Sequence, residues 1–296
     1  MKRYDLSGRT VVITGSTGGL GSALAAELRA RGARLALLDL HADAVRIQAE
    51  TLGPSSVARA WSVDVRDLVS IQTAVDEAAV HFGGIDVVIA NAGVGSMASI
   101  ETLDPDAFAR IIDINLNGVW RTFRAAVPHV IRRRGYLLAI SSMAAFVHSP
   151  LNGPYVANKA GVWALADATR LELRHHGVAV GSAHPTFFAT PMMDDVHSDP
   201  AGRALWGGNT SGLWKMVPLD EVVEIVVDGI ERRKPLIVAP KRNALAARIP
   251  GLIRPIVERI GFRGTTIPDA AALASATGWI SARHENPEET DPGHMR

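Results

Sequence analysis

Tyr155 and Lys159 stand four residues apart in Tyr155-Val156-Ala157-Asn158-Lys159, a spacing that puts both side chains on one face of a helix. A phenol in water ionises near pH ~10, too high for a base at neutrality, and a nearby ammonium stabilises the phenolate and lowers that value. The pair is a candidate acid–base unit for a reaction that moves a proton to or from an oxygen. An exposed helix with an amphipathic tyrosine carries the same pattern, so the pair has to be read with its neighbours. Ser141-Ser142 follows the apolar run from Tyr136 to Ile140, and Asn91-Ala92-Gly93 follows Val87-Val88-Ile89 and Ala90. Both sit where strands of an open α/β sheet end, the edge at which such sheets bind ligands. Asn115 lies in Ile112-Asp113-Ile114-Asn115-Leu116-Asn117, inside a helical stretch where asparagine is a poor choice. It either faces water or bonds a backbone carbonyl.

Thr14-Gly15-Ser16-Thr17-Gly18-Gly19-Leu20-Gly21 follows the run Val11-Val12-Ile13 and opens a helix. Glycines there let the chain turn tightly and bring the backbone close to a pyrophosphate. The helix N-terminus offers that anion free N–H groups and a favourable dipole. The spacing is G-x-x-x-G-x-G, which an ordinary tight βα turn also uses, so the turn does not stand alone. Asp39 ends the second strand about 20 residues past the glycines, where a carboxylate binds both ribose hydroxyls of an adenosine and repels a 2′-phosphate. No Arg or Lys lies between Gly15 and Gly21, and Leu40 and His41 follow Asp39. The expected dinucleotide is therefore NAD(H) rather than NADP(H). The other reading of Asp39 is a helix N-cap or turn residue.

These residues need a scaffold. Short apolar runs predict strands at 11–13, 35–38, 57–63, 87–89, 136–140, 178–183 and 236–239. Helical patterns cover 20–31, 67–82, 104–134, 154–176 and 219–231, with Gly32, Gly83 and Gly177 as stops. Continuously apolar strands belong to a sheet covered on both faces, and alternation with helices means βαβ units with right-handed crossovers. The expected fold is α/β: a doubly wound Rossmann fold, with a seven-stranded parallel sheet flanked by helices, filling residues 1–239 as one domain. The connection at about 190–218 carries Met192, Met193, Trp206 and Trp214 and is expected to lie over the pocket as a lid.

In their order and spacing these motifs resemble the short-chain dehydrogenase/reductase family over residues 8–239. The resemblance rests on the T-G-x-x-x-G-x-G turn, the acidic residue after strand two, Asp64-Val65 after strand three and the N-A-G after strand four. It continues with Asn115, a serine thirteen residues before the tyrosine, and Y-x-x-x-K. It implies that Tyr155 is the general acid or base at the substrate oxygen, and that Lys159 lowers its pKa and bonds the nicotinamide ribose. Ser142 would position the substrate oxygen, Ser141 being one residue off the family spacing, and Asn115 would hold a water in a proton relay from Lys159. Gly15, Gly19 and Leu20 would line the pyrophosphate, with Thr17 of the same turn also against the cofactor. Asp39 would take the adenosine ribose, Asp64 and Val65 the adenine, and Asn91 the neighbouring backbone. After strand six the family's P-G-x-x-x-T reads Pro185-Thr186-Phe187-Phe188-Ala189-Thr190, with Thr186 replacing the glycine. Pro185 keeps its place there, and Phe188 and Thr190 would meet the carboxamide.

The implied reaction is reversible hydride transfer between a secondary alcohol and nicotinamide. The Met and Trp residues of the lid suit an apolar substrate such as a steroid, lipid or aromatic alcohol; they serve equally to anchor the lid. Two alternatives stay open: an NADP-dependent carbonyl or ketoacyl reductase, and a non-catalytic dinucleotide sensor on the same fold. The family often pairs subunits through the helices carrying Asn115 and Tyr155, which implies a homodimer or homotetramer.

Composition narrows the classes further. With 47% hydrophobic and 21% charged residues the chain is globular, neither collagenous nor largely disordered. It has no cysteine, which excludes disulfides, thiolate metal sites and cysteine nucleophiles. Lys+Arg 31 against Asp+Glu 30 argues against a nucleic-acid partner. The histidines are scattered, and no metal site is expected. The start, MKRYDLSGRT, lacks a long apolar run, and no stretch reads as a membrane span, so the expected location is cytoplasmic. Residues 240–296 form a basic amphipathic helical extension, not an independent domain. Leu245, Ile249, Leu252, Ile253, Ile256, Val257 and Ile260 recur at helical spacing among arginines, and Pro250 and Pro255 are expected to break the segment into short helices. The stripe either packs on the sheet or another subunit, or makes weak contact with an anionic membrane surface. Residues 284–296 are expected to be disordered.

Overall fold

The first apolar run becomes strand β1 (Thr10–Thr14), every residue of which is buried. In the computed structural model, residues 3–274 and the backbone of 279–280 are described. Helix α1 (Gly19–Ala30) leads to β2 (Arg34–Asp39), α2 (Ala42–Leu52), β3 (Ala58–Ser62), α3 (Leu68–Phe82), β4 (Val87–Ala90) and a short strand β5 (Ser96–Met97). The chain goes on through α4 (Pro105–Ile112), α5 (Gly118–Arg133), β6 (Tyr136–Ile140), α6 (Gly153–Leu173) and β7 (Ala179–Pro185). The connection expected to form a lid contains α7 (Pro191–Ser198) and α8 (Pro200–Trp206), followed by α9 (Leu219–Glu231) and β8 (Leu236–Ala239). The extension contributes α10 (Ala244–Arg248), α11 (Pro250–Gly261), α12 (Thr266–Leu273) and a strand β9 (Trp279–Ile280), which pairs antiparallel with β5.

The main sheet runs β3-β2-β1-β4-β6-β7-β8 with every pair parallel. Because strand side chains alternate, each apolar run feeds two cores. Val11, Ile13, Leu35, Leu37, Val87 and Ile89 pack with Leu24 and Leu28 of α1 and with Val226 and Ile230 of α9. Val12, Leu38, Val88, Leu137 and Ala139 pack on the other side with Ile71 and Val75 of α3, Phe123 and Val130 of α5 and Val162 of α6. Each buried Val, Leu or Ile contributes about 1.5–3 kcal/mol of transfer free energy, so the two layers hold the sheet from both faces. The chain leaves β1 toward β2 on one side and returns to β4 on the other. The crevice at that reversal, above the C-terminal strand ends, is where an open α/β sheet receives a ligand.

Gly32, Gly83 and Gly177 end their helices at φ of 83°, 74° and 72°, as their positions predict. Three local readings change. Helix α2 is absent from the sequence pattern because only Val45 and Ala49 are buried, too narrow a stripe to register. The stretch 104–134 is not one uniform helix: α4, capped by the Asp104 carboxylate at 2.9 Å from the Ala107 N–H, passes through a π-helical turn, Asp113–Asn117, into α5. Pro250 separates α10 from α11 as expected, but Pro255 sits inside α11 without breaking it. The carbonyl it leaves without a donor is that of Gly251, an exposed residue, so water can satisfy it. The expectation for residues 284–296 lies outside the described residues. Among the described residues no helix is long and apolar enough to cross a membrane.

Candidate active site

Gly15 adopts φ 63°, and a Cβ on it would lie 2.7 Å from the Ala92 Cα, so the turn after β1 packs on the loop after β4 at backbone distance. Asn91 fastens the two: its Nδ2 donates to the carbonyls of Thr14 at 3.1 Å and Gly15 at 2.8 Å. The Asn91 and Ala92 N–H groups donate to the Thr14 hydroxyl at 3.1 and 3.3 Å. A Cβ at Gly21 would overlap the Gly15 carbonyl oxygen. Helix α1 begins at Gly18 with no side chain capping its first turn. Its N-terminus is therefore open to an anion in the crevice.

Asp39 is buried at the tip of β2. Its Oδ2 accepts from the Thr17 N–H and the Thr17 hydroxyl, both at 2.9 Å, while Oδ1 has only a long 3.4 Å contact from the His41 N–H. Helix α2 has His41 at its N-cap with no side-chain capping bond, so Asp39 does not cap it. One carboxylate oxygen holds the glycine turn, and the residue lines the cavity beside it.

That cavity, of about 570 Å³, is lined by Gly15, Thr17, Gly19, Leu20, Asp39, Asn91, Ser142, Tyr155, Lys159, Pro185, Phe188 and Thr190. Asp64, Val65 and Asn115 are outside its lining. Asp64 is paired with Arg66, Nη2 to Oδ2 at 2.8 Å, which holds its carboxyl below the usual range against the opposing effect of burial. Val65 packs on the apolar cluster of Val94, Ile111 and Ile114. Asn115 is fully buried; its Oδ1 accepts from the Val94 N–H at 2.7 Å and its Nδ2 donates to the Val94 carbonyl at 2.9 Å. The asparagine in the helix thus has the backbone-bonding reason, across to the loop after β4.

At the end of β6 the two serines separate in role. The Ser141 hydroxyl donates to the Lys159 carbonyl at 2.8 Å, whereas Ser142 caps a short turn, its Oγ accepting from the Ala144 N–H at 3.1 Å, and lines the cavity with Tyr155. Lys159 Nζ donates to the Ile140 carbonyl at 3.0 Å and lies over the Tyr155 ring, 5.4 Å from its centroid. Burial lowers the Lys159 pKa to about 8. Burial raises the Tyr155 pKa, and the Ser142 side chain opposes that rise. Burial has the larger effect on the Tyr155 phenol, and the Lys159 ammonium beside it is held by the Ile140 carbonyl.

Two histidines were missed by sequence reasoning. His184 in β7 is fully buried, with Nε2 2.9 Å from the Ser182 hydroxyl and Nδ1 3.1 Å from the Ser142 carbonyl, in a ring contact with Phe146 at 4.5 Å. It props the backbone of Ser142 from behind. Its only sequence signal is a polar residue in an apolar strand. Burial pushes its pKa down to about 4 from 6.5. Unfolding frees the imidazole to take up a proton, so the unfolded state binds more protons and stability falls as pH drops from 6.5 to about 4. That loss amounts to roughly 3 kcal/mol at about 1.4 kcal/mol per pH unit. His184→Asn is expected to lose less stability than the wild type over that interval in denaturant titrations; parallel curves for the two proteins would contradict the assignment. His148 lines the cavity, Arg254 of α11 comes within 3.2 Å of its ring, and the Glu258 carboxylate accepts from its backbone N–H at 3.4 Å.

Met192, Met193, Val196, Trp206 and Trp214 of the 190–218 connection all line the cavity. They also anchor that connection: Phe187, Trp206, Trp214 and Phe262 form one aromatic cluster, with Trp214 stacked on Phe262 at 5.3 Å. The anchoring role is thus present in the packing, and the same side chains face the cavity.

A sequence profile described as short chain dehydrogenase matches residues 9–201. The chain is 36% identical over 208 residues to (-)-trans-carveol dehydrogenase of Rhodococcus erythropolis, covering 64% of this chain and 74% of that one. It is 32% identical over 192 residues to 2-dehydro-3-deoxy-L-rhamnonate dehydrogenase (NAD(+)) of a Sphingomonas species, covering 64% and 76%. Its fold superposes on that of a short chain dehydrogenase/reductase from Burkholderia phymatum, solved in complex with NAD, with a TM-score of 0.73 at 23% identity over 83% of this chain and 94% of that one.

Proposed function

The chain belongs to the short-chain dehydrogenase family, and from that premise we propose that it interconverts a secondary alcohol and a ketone with NAD(H). The observation that carries this reading is the convergence of Tyr155, Ser142 and Lys159 on one cavity wall beneath the glycine turn. The turn suits a dinucleotide: its glycines let the backbone after β1 pack closely on the loop after β4, the α1 N-terminus has no capping side chain, and Asp39 lines the cavity beside it. When bound, the dinucleotide accepts or returns the hydride. Tyr155 takes the hydroxyl proton in the oxidative direction and returns it in reduction. Ser142 holds the substrate oxygen as its charge changes. Lys159, anchored on Ile140, is placed to bond the nicotinamide ribose, and Asn115 fixes the loop at Val94 beside it. The water relay through Asn115 and the adenine contacts of Asp64 and Val65 belong to the same reading.

Three finer points rest on particular residues. The buried Asp39 and the NAD(+) in the name of the rhamnonate enzyme support NAD over NADP. Met97, Met143, Phe187, Met193, Trp206 and Trp214 on the cavity wall support an apolar alcohol, as does the likeness to an enzyme named for carveol. Exposed Phe108 and Trp120 on α4 and α5 support pairing of subunits through those helices. Asp39→Ala is expected to weaken NADH binding about tenfold or more, the loss of a charge-assisted ribose contact, and to narrow the gap to NADPH. Separate fluorescence titrations with NADH and NADPH check this. Tighter NADPH than NADH binding by the wild type would overturn the NAD assignment.

A further inference from the structure

Helix α11 has two faces of different character. Toward the protein, Arg254 and Glu258 hold His148, and the Trp214 indole meets the Gly261 carbonyl at 3.5 Å. Away from it, Leu252, Ile256 and Ile260 are 71%, 57% and 45% exposed. Spaced four residues apart, they form one stripe, and exposed Leu245 and Ile249 precede it. The stripe does not pack on the sheet. Exposed Arg248, Arg259 and Arg263 flank it, and among the described residues none of the three has a carboxylate partner. Between residues 240 and 263 the chain has six basic residues and one acidic residue, Glu258, which is turned inward to His148.

We propose that this face of α11 docks on an anionic lipid bilayer, with the apolar stripe entering the headgroup boundary and the arginines meeting lipid phosphates. Charge decides between occupants. A second copy joined about a twofold axis would set the same arginines against one another. Residues 281–296 carry Glu285, Glu288, Glu289 and Asp291, but Met295 is their only large apolar side chain, too little to cover the stripe. An anionic bilayer meets both the apolar and the basic character of the face. His148 and Trp214 touch α11 and also line the cavity, so docking brings a helix packed against the cavity wall onto the lipid surface. The use of that position to take up an apolar alcohol rests on the proposed reaction; the docking does not.

The test is sedimentation of the full chain with vesicles of pure phosphatidylglycerol or pure phosphatidylcholine, at low and high salt. The protein is expected to pellet with phosphatidylglycerol at low salt, to stay in solution with phosphatidylcholine, and to be released by salt. The triple variant Arg248→Gln, Arg259→Gln, Arg263→Gln is expected to lower the partition coefficient about a hundredfold, the equivalent of about 1 kcal/mol per charge. The pair Ile256→Ser, Ile260→Ser is expected to lower it as well. NADH binding by each variant reports that the fold survives. Absence of pelleting, or pelleting unchanged in both variants, overturns the proposal. So does a dimer in vesicle-free solution that the Ile256→Ser, Ile260→Ser pair dissociates, which assigns the face to a second copy. No turnover is measured, so the result stands whatever the substrate proves to be.

Discussion

Tyr155→Phe is expected to lower turnover of the alcohol by about 10³-fold or more while NADH binding and the unfolding midpoint stay near wild type. The removed atom is the one that exchanges a proton with the substrate, and general acid–base groups contribute about 10²–10⁴-fold. The phenylalanine ring keeps the packing over the Lys159 ammonium, whose Nζ is held by the Ile140 carbonyl at 3.0 Å and not by the phenol. The loss should therefore appear in kcat rather than in cofactor affinity. If Tyr155 only packed, the variant would turn over normally. Steady-state kinetics with a fluorescence titration of NADH separate the two outcomes.

Gly21→Ala is expected to raise the Kd for NADH by about a hundredfold or more. The added methyl meets the Gly15 carbonyl, and that oxygen cannot retreat. It is held by Asn91 Nδ2 at 2.8 Å, and Gly15 has no room for even a Cβ beside the Ala92 backbone. Relief requires opening the turn or tilting α1 off the crevice, and either displaces the N–H groups that would face the pyrophosphate. Overpacking of this kind costs about 1–3 kcal/mol of stability, so thermal unfolding should be recorded beside the NADH titration. Gly251→Ala is the matched control, because a Cβ there meets nothing within 4 Å. Wild-type NADH affinity in Gly21→Ala would show that the turn does not cradle the dinucleotide.

Much of the fold and site was legible before any coordinates. The seven strands are legible because burial on both faces makes each a continuous apolar run, and the glycine turn, Asp39, Ser142, Tyr155 and Lys159 because their spacing is local. What escaped depends on distance or environment. Asn115 bonds Val94, twenty-one residues away in the chain, and neither helix period nor propensity reveals such a partner. His184 behind Ser142 is seen only once β6 and β7 are side by side. The rise in the Tyr155 pKa is a consequence of burial, whereas the sequence shows only that a lysine lies one turn away. The apolar stripe of 245–260 is readable as a stripe, but which side of it faces water is set by Arg254 and Glu258 reaching His148. Composition leaves two roles open for the residues of 190–218: Trp206 and Trp214 pack in one aromatic cluster, and they line the cavity together with Met192 and Met193.

The reaction proposed for this cavity is oxidation of a secondary alcohol by NAD⁺. Its most direct measurement follows the near-ultraviolet absorbance of reduced nicotinamide while the wild-type protein and NAD⁺ meet secondary alcohols graded from short polyols to terpenoid and steroidal compounds. The expected result is alcohol-dependent NADH formation, one equivalent per ketone produced, with the highest kcat/KM among the apolar alcohols and none of that turnover in Tyr155→Phe. Tight NAD⁺ binding without reduction across the whole panel, and without ketone reduction by NADH, would contradict it and leave a dinucleotide-binding protein without this chemistry.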